Sequence, residues 1–317
     1  MKKIVRSKMF TLVILLAAIV LVYTILSGGA FLRARNIRNI LQSTTVVSLM
    51  TIGAGLLMIS GYIDLSLGGT GTMCAMLMAY LLRANLPWYA AVILALACGG
   101  VAGAFNAFCV NELNFQPFIA TLATALVTQG IGSIISGGIN IDISNPLLTF
   151  IGGERIFDFI PYSLVISLFA LLVYGVILKQ TKFGRSIYLV GGNADAARLA
   201  GIRPKRISYI LFINAGCFAA LAGILLSARL KTANVTGVTN SQFTGITASI
   251  LGGISFGGGS GGMGGALIGI LILNCFSNGM TIIDVNPYWQ TVASGLLLIF
   301  ALTADVLNER RNKGRVR

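Results

Sequence analysis

ANLPWYAAVILALACGGVAGAFNAFCVN, residues 84–111, runs from Arg83 to Glu112 without a charge. About 20 apolar residues cross the hydrocarbon core of a bilayer as a helix. Lipid offers no partner for backbone N–H and C=O groups, so a helix, which satisfies them internally, is the form such a stretch takes. Its run Gly99-Gly100-Val101-Ala102-Gly103-Ala104 is small enough to let a neighbouring helix approach closely. Working outward, charges cut the chain into similar stretches at 9–32, 39–63, 65–82, 113–141, 159–178, 207–228, 232–283 and 285–304. The stretch 232–283 is interrupted by Gly257-Gly258-Gly259-Ser260-Gly261-Gly262 and reads as two spans. The expected fold is an all-α polytopic membrane protein of about ten transmembrane helices, forming one transmembrane domain over residues 1–317.

Composition agrees. The chain has 317 residues, 56% hydrophobic and 10% charged, with mean hydropathy +0.87, against about 25% charge in a soluble domain. A water-soluble globule is excluded. Histidine is absent and nine carboxylates face 23 Lys and Arg, which excludes imidazole catalysis and His-based metal sites. Cys74, Cys98, Cys109, Cys217 and Cys275 lie in apolar stretches without a C-x-x-C pair, so neither a disulfide framework nor a metal site is indicated. No cofactor is expected.

The net charge of +14 raises the question of nucleic acid. Its distribution answers it, because basic residues concentrate in the cytoplasmic segments of membrane proteins. With the N-terminus inside, sixteen basic residues fall in the inner segments 1–8, 179–206 and 307–317, and seven fall outside. The excess therefore reports orientation, with both termini cytoplasmic, and no nucleic-acid face. Arg33-Ala34-Arg35-Asn36-Ile37-Arg38 runs against this bias and is expected to form a short amphipathic helix on the outer surface. The stretch from Met9, behind Lys2, Lys3, Arg6 and Lys8, is too long for a signal-peptide core and is read as a retained first span.

Two segments interrupt the helical pattern. Leu251 to Gly265 is too glycine-rich to be helical throughout, each Gly costing about 1 kcal/mol relative to Ala. It lacks the lysine of a phosphate loop, so no nucleotide is expected there. Gly61-Tyr62-Ile63-Asp64-Leu65-Ser66-Leu67-Gly68-Gly69 forms either a tight surface turn or a helix broken inside the membrane. Irregular backbone at membrane depth is tolerated only against protein or a water-filled cavity, so the breaks near Asp64 and Gly257 point to an internal pathway. Asp64 either caps the helix starting near Ser66 or couples an ion. Ser66, Asn106, Thr121, Thr124, Gln129, Asn274 and Asn278 either line a route for a hydroxylated solute or bond helix to helix.

The longest polar run between spans is 179–206. Within it Asn193 is suited to N-cap a short helix, Asp195 lies in the first turn, Arg198 near the other end, and Gly201 closes it before Pro204. About two turns are unstable alone in water. With Ala194, Ala196, Ala197 and Ala200 this slim helix either enters a groove on a cytosolic partner or packs on its own protein.

The run from Thr181 to Ile202 resembles the Thr-x-Phe-Gly-Arg-x-Ile-Tyr-x-x-Gly-x-Asn-x-x-Ala-Ala-x-x-Ala-Gly-Ile signature of membrane permeases of ribose-type ABC importers. Ile63-Asp64-Leu65-Ser66, Gln116-Pro117-Phe118-Ile119-Ala120-Thr121-Leu122 and the glycine tract Leu251–Gly264 resemble further elements of that family, in order. Tyr62 and Ala123 depart from it where glycine is usual, which leaves the particular sugar open. The resemblance implies a multi-pass protein of the bacterial cytoplasmic membrane. It also implies pairing with a second copy or a similar permease, with cytosolic ABC ATPases, and with an extracytoplasmic solute-binding protein. Gly191, Asn193, Asp195, Ala197, Arg198 and Gly201 would then belong to the element that receives ATP-driven movement. An ion-coupled secondary transporter using Asp64 is the first rival. A membrane enzyme is the second, disfavoured by the missing histidine and acid–base pair.

Overall fold

The structure is a computed structural model that describes residues 2–314, with side-chain surroundings over residues 9–307. In chain order its helices are α1 (Lys2–Leu26), α2 (Ala34–Ile59), α3 (Leu67–Arg83), α4 (Trp88–Asn111), α5 (Pro117–Ser136), α6 (Pro146–Gly153), α7 (Tyr162–Gln180), α8 (Lys182–Gly192), α9 (Ala194–Leu199), α10 (Pro204–Leu230), α11 (Ser241–Leu251), α12 (Met263–Ile282) and α13 (Pro287–Gly314). Two antiparallel ladders complete it: β1 (Ile141–Asp142) with β4 (Thr232–Ala233), and β2 (Arg155–Ile156) with β3 (Ile160–Pro161).

Among the described residues eight helices are long and apolar enough to cross a membrane: α1, α2, α4, α5, α7, α10, α12 and α13. The ten expected spans each hold a helix, but α3 has 17 residues and α11 only 11. At about 1.5 Å per residue α11 covers roughly half a hydrocarbon core. Charge-free length counts residues whatever their backbone does, and here the residues before α11 are spent on irregular chain. Val238 in that segment is buried, and its N–H donates to Thr72 Oγ1 of α3 at 3.3 Å.

Five helix ends meet at one end of the bundle, the near end, beside α8 and α9. The Gly259 N–H donates to the Ile59 carbonyl at 2.8 Å, joining the ends of α2 and α11. Tyr188 Oη of α8 donates to the Gly261 carbonyl at 2.8 Å, just before α12. Met9 of α1 lies against Gly264, and the Phe256 N–H donates to Asp305 Oδ2 of α13 at 2.9 Å. The start of α1 and the end of α13 thus lie with the polar segment. At the far end are Tyr23 stacked on Phe31 and both ladders.

α10 is the central helix, packed on α2, α3 and α4. Gly99 and Gly216 meet backbone to backbone where α4 crosses it, so a methyl group on either would strike the other's carbonyl. The small residues of 99–104 do act as helix-packing residues. The Arg33–Arg38 cluster is not a separate surface helix. It follows a 3-10 turn at Ala30–Leu32 and continues as the first turns of α2, because the apolar periodicity of 37–59 extends the helix through it. Arg38 pairs with Asp158 at 3.5 Å.

Candidate functional site

The polar segment contains two helices where the sequence announced one. Thr181 caps α8, its Oγ1 accepting from the Gly184 N–H at 3.0 Å, and Ile187 and Val190 bury one face with Phe183 packed alongside. Those three fall at helical spacing, the signal in the sequence that marks α8. α9 forms as expected. Asn193 Oδ1 accepts from the Asp195 and Ala196 N–H groups at 3.0 Å each, Asp195 pairs with Arg198 at 3.0 Å, and Gly201 follows in left-handed backbone, φ 80°. Ala197 is buried against the protein, whereas Leu199 stands 92% exposed. α9 therefore packs on its own chain through one alanine and presents Leu199, Asp195 and Arg198 outward.

Where α8 ends, three distant segments touch through backbone. A Cβ on Gly191 would run into the Ile59 carbonyl and the Gly259 N–H. Gly258, at φ 85°, sits over the Gly191 carbonyl and Gly61. Only glycine permits both this approach and that backbone conformation. The two interruptions of the helical pattern, 60–66 and 252–262, thus both lie at the near end against the polar segment.

Just beyond this junction Asp64 is 1% exposed. Its Oδ1 accepts from the Ser66 N–H at 2.7 Å and Ser66 Oγ at 2.6 Å. Asn106 Nδ2 of α4 lies 3.3 Å from Oδ2 and donates to Ser66 Oγ at 2.8 Å. Thr121 Oγ1 of α5 accepts from the Leu65 N–H at 3.1 Å. Four candidates from three segments form one polar knot. The donors to Asp64 come from its own loop and from α4, and the bond to the residue two further on makes an Asx turn ahead of α3. The expected cap thus takes a different form: Asp64 shapes the loop, while Ser66 occupies the cap position without a side-chain cap bond.

The profile of the family described as branched-chain amino acid transport system / permease component matches residues 36–302. The chain belongs to this permease family. The probable ABC transporter permease protein YphD of Escherichia coli K12 is 32% identical over 302 residues, covering 95% of this chain and 90% of its own. The ribose import permease protein RbsC of Bacillus subtilis is 32% identical, with 90% and 89% covered. The xylose transport system permease protein XylH of Haemophilus influenzae is 28% identical, with 98% and 99% covered. This permease is accordingly a multi-pass protein of the inner membrane.

The permease does not gather its remaining candidates into the knot. Thr124 Oγ1 bonds within α5, to the Ala120 carbonyl at 3.0 Å. Asn274 of α12 donates to Thr44 Oγ1 of α2 at 3.1 Å, and Asn278 accepts from Asn36 at 2.8 Å, towards the far end. These two tie helix to helix. Tyr62 packs its ring on Phe212 at 5.7 Å, and Ala123 is exposed on α5. Among the described residues no group of His, Cys, Asp and Glu is arranged to hold a metal.

Proposed function

We propose that this permease is the transmembrane subunit of an ATP-driven importer of a monosaccharide or similar small polar solute. It works as a dimer with itself or a similar permease, with cytosolic ABC ATPases below and an extracytoplasmic solute-binding protein above. Support for the solute comes from relatives named for ribose and xylose. Residues 1–317 act as one transmembrane domain. Placing the near end in the cytoplasm satisfies the bias of basic residues and puts both termini there.

The observation that carries the mechanism is the backbone contact of Gly191 with Ile59 and Gly259. In this reading α9 docks on the ATPase through Leu199, Asp195 and Arg198, with Asn193, Ala197 and Gly201 holding its shape. A push on α9 reaches Gly191 through α8, then moves the ends of α2 and α11 together, so that the bundle opens to alternate sides. Asp64, Ser66, Asn106 and Thr121 act as positioning residues that keep the 60–66 loop rigid enough to transmit this movement. Of the other pathway candidates Thr124 is left for contact with solute, while Asn274 and Asn278 hold helix to helix. We assign the chain no catalytic site; hydrolysis belongs to the ATPase. Ion coupling through Asp64 finds no support, since its relatives are ABC permeases and its carboxylate is closed in by donors.

Affinity purification of the chain from its native membrane, with mass-spectrometric identification of its companions, tests this reading. An ATPase and a solute-binding protein are expected. Leu199→Asp should reduce recovery of the ATPase by about tenfold, the loss of roughly 1.4 kcal/mol of apolar burial. Full recovery would remove α9 from the interface.

A further inference from the structure

At the far end a cleft of about 520 Å³ opens between α6, the end of α10 and α2. Gln42, Thr149, Glu154, Arg155, Arg229 and Lys231 supply its polar lining. Arg155 Nη2 donates to Gln42 Oε1 at 3.2 Å, which fixes the guanidinium over the cleft, yet its buried Nε has no partner. Among the described residues none of the three cations makes an ion pair. Gly152 lets α6 press directly onto the backbone of Ala228 and Arg229, so the arrangement is held by packing on both sides.

Charge decides what fits. The C-terminal end of α10 contributes roughly half a negative charge, and Glu154 contributes one more. Against three cations, a surplus between one and two positive charges remains, roughly the charge of one phosphate group. Planar guanidinium forks match phosphate oxygens. The cleft also lies where the uncharged stretch of α10 ends, beside the exposed Leu147 and Phe150. That is the depth of phospholipid headgroups.

We propose that this cleft is a phosphate-binding site of the permease, filled by an anionic phospholipid headgroup or by a free phosphate. The test uses the full chain in two arms. In delipidated detergent solution, inorganic phosphate is titrated while unfolding is followed by tryptophan fluorescence, against chloride at equal ionic strength. In nanodiscs of phosphatidylglycerol or phosphatidylcholine, lipid retained after extraction is counted by native mass spectrometry. Saturable protection by phosphate identifies a free anion, and selective retention of phosphatidylglycerol identifies a headgroup. Either response should weaken at least tenfold in Arg155→Gln and Arg229→Gln. Lys231→Asn, at an exposed left-handed position that asparagine adopts readily, should weaken it less and guards against a folding artefact. Equal behaviour of the wild type and all three variants in both arms overturns the site.

Discussion

The two interruptions of the helical pattern lie side by side yet are built on opposite principles. The 60–66 loop is held by side chains: one buried carboxylate collects donors from its own loop and from α4, while α5 holds the neighbouring backbone N–H. The 252–262 loop meets the junction through backbone: Gly258 and Gly259 fit against Gly191 and Ile59, and the Gly259 N–H bonds the Ile59 carbonyl, while the side chains of Asp305 and Tyr188 tie only its flanks at Phe256 and Gly261. A side-chain knot resists deformation because each member loses a partner if it moves. A glycine contact holds no side chains in place and slides or tilts at little cost. The first loop thus suits a rigid lever and the second a bearing, with Gly191 touching both.

The sharpest way to break this comparison is Gly191→Val, which forces a branched side chain into the Ile59 carbonyl. Overpacking at backbone contacts costs about 3 kcal/mol or more, so uptake should fall by roughly 100-fold. Normal uptake in membrane vesicles would show that the junction transmits nothing. Next, Gly258→Leu with Gly261→Leu should abolish transport while the protein still inserts, because both glycines sit in left-handed backbone at φ 85° and 119°. Retained transport would mean that the bearing is dispensable.

The knot should respond in stability. Asp64→Ala leaves the Ser66 N–H and the Ser66 hydroxyl without their acceptor and should cost about 3 kcal/mol. Asp64→Asn keeps one acceptor oxygen and should cost about 1 kcal/mol, with uptake still driven by ATP. Thermal unfolding in detergent and uptake with and without ATP measure both; an Asp64→Asn variant that folds normally but loses all uptake would return Asp64 to the chemistry of transport. The smallest structural effect belongs to Arg198→Glu. Its pair with Asp195 is exposed, and such pairs are worth about 0.5 kcal/mol, so the unfolding midpoint should barely move. Recovery of the ATPase should nevertheless drop several-fold, and undiminished association would show that the charge is not part of the interface.

The capped helix at 193–201 was legible because a cap is a local rule: Asn193 bonds to N–H groups two and three residues on, whatever the rest of the chain does. α8 is less legible because its signal is the spacing of Phe183, Ile187 and Val190, which means little until a core lies beneath it. Asp64 was visible as costly, but its partners Asn106 and Thr121 are dozens of residues away and were indistinguishable from polar residues such as Thr124 and Asn274.

By itself, then, the sequence determined the class of the molecule, the positions of its long apolar helices and the polar segment. Hydrocarbon demands helices of a set length, and charges mark their ends. Tertiary structure alone decided that α11 would be partial and that Ile59, Gly191 and Gly259 would meet. It likewise placed Asp64 where Asn106 and Thr121 complete its bonds. A buried polar group takes its partners from whichever helix packs beside it, and helix order in space is set by packing among small residues spread across the whole chain.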